Sequence, residues 1–376
     1  MKFIFSLVFS FISLIVYGQI TIDNNAPYDD PTYLINDVLL GGGIIASNHS
    51  YQGDSVQIGY FDATNTSLGI NSGIVMATGD LSVLDPFYTG FGAIISNIAT
   101  DPDLLNVANS VPPLLPSPFT NSFTVGSIND VAVLEFDFVP TSDSLSFQYV
   151  FGSEEYFNFE NSQYNDVFGF FLSGPGITGP FSSPAFHPNG SVNLAIVPGS
   201  SPELPITISS VNSVTPINDQ YFVDNTGGLD TIAAAKGYTT VLTAYAAVQC
   251  GETYHIRLAI ADGTDPGLSS FVWLQAGSFA SPLLEIVDDL GLDSTVLEIP
   301  CNSTITLTAN GGVGATYEWY DSSGIFSTNS NVTVSSGEYW VTATSFGCPV
   351  VSDTIIVNSQ AAPTVNLGND YTIACN

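Results

Sequence analysis

An all-β fold is predicted for this chain of 376 residues: an N-terminal antiparallel β-sandwich of jelly-roll or lectin-like type, followed by a second, smaller β-sandwich. Three observations carry that expectation. Short stretches alternate apolar and polar residues with a period of two, turn residues recur between them, and helical periodicity is almost absent.

The stretch Ser146 to Gly174, SFQYVFGSEEYFNFENSQYNDVFGFFLSG, organises the first domain. Its incoming arm sets Leu145, Phe147, Tyr149 and Phe151 on one face and Ser146, Gln148 and Val150 on the other, as a half-buried strand does. Its outgoing arm, Val167 to Leu172, is apolar throughout and suits a strand covered on both faces. Between them lies an oxygen-rich loop holding Glu154, Glu155, Glu160, Asn161, Asn165 and Asp166. Before this stretch, 19–31 reads as a polar leading arm. LINDVLLGGGIIASN, SVQIGYFD and GIVMATG then read as short strands with glycine turns. Asp101-Pro102 offers a cap followed by proline at the first helical position, so a short helix is expected to about Ala108. In 131–139, Ala132, Leu134, Phe136 and Phe138 alternate with the outward-facing Glu135 and Asp137. Beyond a proline-rich excursion over 174–189, strands are expected at 192–197, 206–208 and 238–246. Tyr254, Ile256, Leu258 and Ile260 then alternate against His255 and Arg257, and a strand over 271–276 closes the domain.

Ser281-Pro282 marks a boundary. Over 282–360 a shorter pattern follows: Cys301, then Ile305, Leu307 and Ala309, then YEWY at 317–320, then GEYWVTA at 337–343, then Cys348. It resembles the Ig-like or PKD-like repeats of bacterial surface proteins. LGNDYTIAC at 367–375 echoes LGLDSTVLEIPC at 290–301, so a second repeat, 361–376, is expected to begin there and to belong to a longer protein.

Acidic residues outnumber basic ones 35 to 3, for a formal net charge of −32. Nucleic-acid phosphates and anionic membrane surfaces would be repelled, so neither is an expected partner. Lys2, the apolar run Phe3 to Tyr17 and the small-residue site before Gln19 read as a signal peptide, residues 1–18, cleaved after Gly18. No later stretch approaches a membrane span. Of the four cysteines, Cys301 and Cys348 form the expected disulfide, Cys375 would pair beyond the chain, and Cys250 is expected as a buried thiol.

FGSEEY at 151–156 and NDVFGFFLSGPG at 165–176 resemble the choice-of-anchor L domain of Bacteroidetes-type surface proteins. LGGG at 40–43, IGYFD at 58–62, LGINSGIVMATGD at 68–80, AVLEFDFVPTSDSLSFQYV at 132–150, VDNTGG at 223–228 and ETYHIRLAIADG at 252–263 extend the likeness in order, which sets the first domain at 19–281. The resemblance implies a secreted cell-surface protein anchored through a C-terminal domain of the gliding-motility kind. It does not name a ligand.

The acidic loop admits three chemistries. Glu154 and Glu155 could act as the acid and base of a glycan-cleaving enzyme, but neighbours in a strand point to opposite faces. Glu154, Glu155, Asn165, Asp166 and Asp224 could hold Ca2+, a hard cation that takes six to eight oxygens. The alternative is structural, carboxylates accepting backbone N–H groups in a tight turn. DGTD at 262–265 and DNTGG at 224–228 lack EF-hand spacing and read as ordinary turns. Phe168, Phe170, Phe171, Trp273 and Tyr149 could form a sugar-stacking platform but read as core. His49, His187 and His255 fall in no catalytic motif, and His255 is expected to point outward from its strand. With so few cationic and nucleophilic groups, the expectation is a non-catalytic surface binding or adhesion protein. Its ligand would be an extracellular surface or a polysaccharide, and a lectin-type or glycan-active module using the Glu154/Glu155 loop is the alternative.

Overall fold

A computed structural model describes residues 19–85, 95, 100–226, 232, 234–281, 285–288, 295–311, 315–345, 348–352 and 354–360. The expected signal peptide, the expected second repeat and Cys375 lie outside the described residues.

Among the described residues, the N-terminal domain holds thirteen strands: β1 (Thr21–Asp23), β2 (Ile44–Gln52), β3 (Ile58–Asp62), β4 (Ser72–Ala77), β5 (Ile128–Pro140), β6 (Ser144–Ser153), β7 (Val167–Ser173), β8 (Val192–Asn193), β9 (Phe222–Asp224), β10 (Gly237–Thr239), β11 (Leu242–Ala247), β12 (Tyr254–Gly263) and β13 (Ser270–Gln275). One sheet runs β1-β3-β4-β13-β6-β10-β9, with β11 also paired to β6, and the other runs β2-β5-β12-β7-β8. Every ladder between these strands is antiparallel.

The core lies between the sheets because each strand's alternation sends one set of side chains inward. Leu134, Phe136, Phe138, Ile256, Leu258, Phe168 and Phe170 meet Phe147, Tyr149, Phe151, Ile74, Met76, Val272 and Leu274, all buried. Edge-on ring pairs cross the gap, Phe147 to Phe170 at 5.0 Å and Tyr149 to Phe170 at 4.9 Å. Phe168, Phe170, Phe171, Trp273 and Tyr149, read as core rather than as a sugar platform, are all buried. β7 is buried at every position, as its unbroken apolar run predicts. Its second face lies under Leu104, Val107 and Ala108 of the helix Pro102–Ser110, which Asp101 caps by accepting from the backbone N–H groups of Asp103 and Leu104.

Two expectations near the N-terminus are corrected. Residues 34–39, read as strand, are helical: Pro31–Tyr33 runs into a wider turn over Leu34–Leu39, with the Asp30 side chain accepting from Thr32 N. The leading arm contains β1, the edge strand of the larger sheet.

From Glu285 onward a separate set of strands forms sheets of three and six around Leu307, Trp319, Val332, Val341 and Ile355. Trp319 is fully buried and its indole N–H donates to the Asn329 carbonyl at 3.0 Å. Cys250, expected as a buried thiol, is half-buried and disulfide-bonded, and Cys301 is disulfide-bonded too. The Cys348 side chain lies outside the described residues, so its pairing with Cys301 stays a proposal.

Candidate functional site

Two acidic centres flank β12, one near each end. The first is the loop that the sequence singles out. β6 ends at Ser153, whose hydroxyl accepts from Glu155 N at 2.9 Å, and the buried Tyr156 ring anchors the loop by donating to the Val211 carbonyl at 2.9 Å. Glu155 thereby turns inward and is 4 % exposed, while Asn165 and Asp166, just before β7, are wholly buried. Asp166 accepts from Gly263 N at 2.9 Å and from the Ser270 hydroxyl at 2.7 Å. Asp262, the penultimate residue of β12, is 2 % exposed and immediately precedes Gly263, whose N–H donates to Asp166.

The neighbouring backbone fits this centre closely. A Cβ on Gly263 would lie 2.7 Å from the Asn165 carbonyl oxygen, so only glycine permits that approach. β5 shifts register opposite Ile260 and Asp262, where Asp130 takes φ of +50°, a bulge of the kind that re-aims side chains beside sites. Gln57 secures the bulge by donating to the Asp130 carbonyl at 2.8 Å.

Burial and mutual repulsion govern the charges here. Burial, then the charges of Asp166 and Asp262, push the Glu155 carboxyl up to about 12. Burial raises Asp166 to about 7 against the opposing hydrogen bonds from Gly263 and Ser270. Asp262 is raised well above the usual carboxylate range by burial and by Asp166. Glu155 Oε2, Asp262 Oδ1 and both polar atoms of the Asn165 amide are buried with no hydrogen-bond partner. Among the described residues, no three His, Cys, Asp or Glu side chains are yet gathered closely enough to hold a metal ion.

Of the five residues expected at a cation site, three, Glu155, Asn165 and Asp166, are buried. Glu154 points the other way and accepts from Ser269 N at 2.8 Å, as alternation along a strand requires. Asp224 is exposed and closes its own turn onto Thr226. The register Asp224, Gly237, Ser153, Ser270 puts it three strands, about 14 Å, from Ser270. Both corrections have one cause: proximity in sequence or composition does not bring side chains onto the same face. Asp262 was passed over as a turn residue. Its signal was parity, because it continues the inward set Tyr254, Ile256, Leu258 and Ile260.

The second centre is a cleft of about 500 Å³ on the outer face of the smaller sheet. Register builds it in two rows, Asp137, His255, Ser173 and Glu135, Arg257, Phe171. His255 Nδ1 lies 2.8 Å from Asp137 Oδ1 and its Nε2 lies 3.6 Å from Glu135 Oε2. Burial disfavours the charged ring, but hydrogen bonds with Glu135 and Asp137 outweigh it, and the His255 pKa is raised. Arg257 pairs with Asp101 and, at 2.5 Å, with Asp103, while its guanidinium sits 4.6 Å above the Phe171 ring. Asn48 reaches in and donates to Asp137 at 2.7 Å. Phe186, 59 % exposed, stands at the mouth with its ring 4.5 Å from His187 and 6.4 Å from His255. His255 thus points out from its strand as expected, but into a cleft that alternation alone does not reveal.

An antiparallel sandwich carrying one dry acidic centre and one polar, aromatic-rimmed cleft is a β-sandwich domain in class. The chain belongs to the choice-of-anchor L domain family, whose model matches residues 21–280. Membership points to a cell-surface or secreted protein, and no described helix is long and apolar enough to cross a membrane. No curated protein matches. Among solved structures, the chain is similar to murine CEACAM1b, at 11 % identity and a TM-score of 0.17, over 52 % of this chain and 93 % of that one. It is also similar to the adhesin domain of Epf from Streptococcus pyogenes, at 12 % identity and a TM-score of 0.17, over 64 % and 81 %. At those scores neither likeness carries an argument about this chain.

Proposed function

We propose that the protein is an exported, non-catalytic surface adhesin whose N-terminal domain binds a neutral glycan in the cleft beneath Phe186, with the smaller Ig-like sandwich as part of a stalk. The observation that carries this reading is the cleft itself. An exposed aromatic ring at its mouth can stack on the apolar face of a sugar, while Asn48, Asp137, Glu135 and His255 offer donors and acceptors to hydroxyl groups. At its wall and rim, Ser173 Oγ and His187 Nε2 are buried without a hydrogen-bond partner. Four carboxylates against one arginine and one histidine disfavour an anionic ligand.

The cleft replaces the Glu154/Glu155 loop as the place for a glycan, because Glu155 is buried where no sugar reaches it. Calcium enters this reading as a stabiliser of the domain. A glycan array probed with the full chain and with Phe186→Ala tests the adhesive clause. Saturable binding to neutral glycans, lost in the variant, is expected. Equal binding by the variant, or none by the wild type, sinks it, and release of sugar products removes the non-catalytic clause.

A further inference from the structure

We infer that Glu155, Asn165, Asp166 and Asp262 form the binding site for a single calcium ion, between the loop before β7 and the end of β12. This deepens the calcium clause of the proposed function and rests on it, but not on what the cleft binds. Two independent observations lead to it. The first is convergence: Gly263 N and the Ser270 hydroxyl hold Asp166 in place, Asp262 immediately precedes Gly263, and the Asn165 backbone is pressed against Gly263.

The second is a set of orphaned atoms. Glu155 Oε2, Asp262 Oδ1 and both Asn165 side-chain atoms have no partner, in residues at most 4 % exposed. Buried polar groups without partners are rare in proteins, and buried carboxylates are paired or coordinate metals. At Asp101 and Asp103, by contrast, buried acids are satisfied by arginine and by backbone N–H groups. No lysine, arginine or histidine is hydrogen-bonded or ion-paired to Glu155, Asp166 or Asp262 among the described residues, so a mobile cation is the natural complement.

The donor set selects the ion. It offers carboxylates and one amide carbonyl and no sulfur or imidazole, which suits a hard cation with many oxygen ligands and tolerant geometry. The carboxylates stand apart in the structure, but closing them on a cation sacrifices little, because the atoms that must turn have no hydrogen bonds to give up.

Equilibrium dialysis of the full chain against calcium chloride, paired with thermal melts in chelator and in about 10 mM calcium, tests the site. That concentration is on the order of 100-fold above a dissociation constant of ~10⁻⁴ M, usual for extracellular modules, and should raise the melting temperature by roughly 5–10 °C. One ion bound per chain is expected. Asp262→Asn should abolish the shift while melting in chelator at or above the wild-type temperature, and Asp224→Asn should keep the shift intact. Wild-type protein that binds no calcium, or a shift that survives in Asp262→Asn, overturns the inference. Should Asp262→Asn fail to fold, Asn165→Ala takes its place under the same criterion. Glycan binding by calcium-free protein leaves the adhesive reading standing on its own.

Discussion

The two acidic centres share a strand and solve the same electrostatic problem differently. Near the start of β12, His255 and Arg257 point outward and are flanked by Glu135, Asp137, Asp101 and Asp103. Near its end, Asp262 points inward to Asp166 and Glu155 with no basic partner. The cleft acids carry counter-charges from the chain, with Asp101, Asp103 and Asp137 buried and Glu135 half-exposed. The loop acids are dry, and burial and mutual repulsion push their pKa values upward. A chain with 3 basic residues can neutralise one cluster with its own side chains, and must recruit protons or ions for the other.

The largest expected effect comes from removing the counter-charge. Arg257→Met leaves Asp101 and Asp103 buried and uncompensated, which should cost about 3–5 kcal/mol in urea unfolding. Adding Asp101→Asn and Asp103→Asn should recover most of that loss, since Asn keeps the helix cap. If the triple variant is no more stable than Arg257→Met, the loss lies in packing on Phe171 and the contrast between the centres fails.

A smaller effect is expected at the other centre. Gly263→Ala drives a methyl into the Asn165 carbonyl, so backbone must shift, at about 1–3 kcal/mol. It should also weaken calcium-dependent stabilisation, because the displaced segment carries Asn165 and Asp166. Urea melts with and without calcium read both effects. A variant as stable as wild type in both conditions would show that the close approach is not needed.

Much of the fold was legible because sandwich strands announce themselves by parity. Phe147, Tyr149 and Phe151 are inward as read, and β7 is covered on both faces. Helices were read unevenly from one signal. Asp101-Pro102 was taken as a cap, whereas Asp30-Pro31, the same device, was overlooked because the apolar run LINDVLL after it reads as strand. The candidate cation site was half legible. Glu155, Asn165 and Asp166 lie in one loop, while Asp262 joins them through strand pairing across a separation of 97 residues between Gly263 and Asp166. The cleft was hidden for the same reason: Glu135, Asp137, His255 and Arg257 look like ordinary solvent-facing positions until register sets them side by side.

The finest test of the contrast is its pH dependence at the cleft. The folded-state pKa of His255 lies above its ordinary value, because the hydrogen bonds with Glu135 and Asp137 outweigh burial. A raised pKa contributes stability that is fully present below the unfolded value of about 6.5 and is lost as pH rises through the folded value. Wild-type stability should therefore fall as pH rises from about 6 through that range, and His255→Asn should flatten this part of the profile. Repeating the series with Asp137→Asn removes one of the two acceptors and should shift the transition toward lower pH. An unchanged slope in His255→Asn would mean that the ring stays neutral between its two carboxylates, and that the cleft, like the buried loop, relies on something other than the chain for its counter-charge.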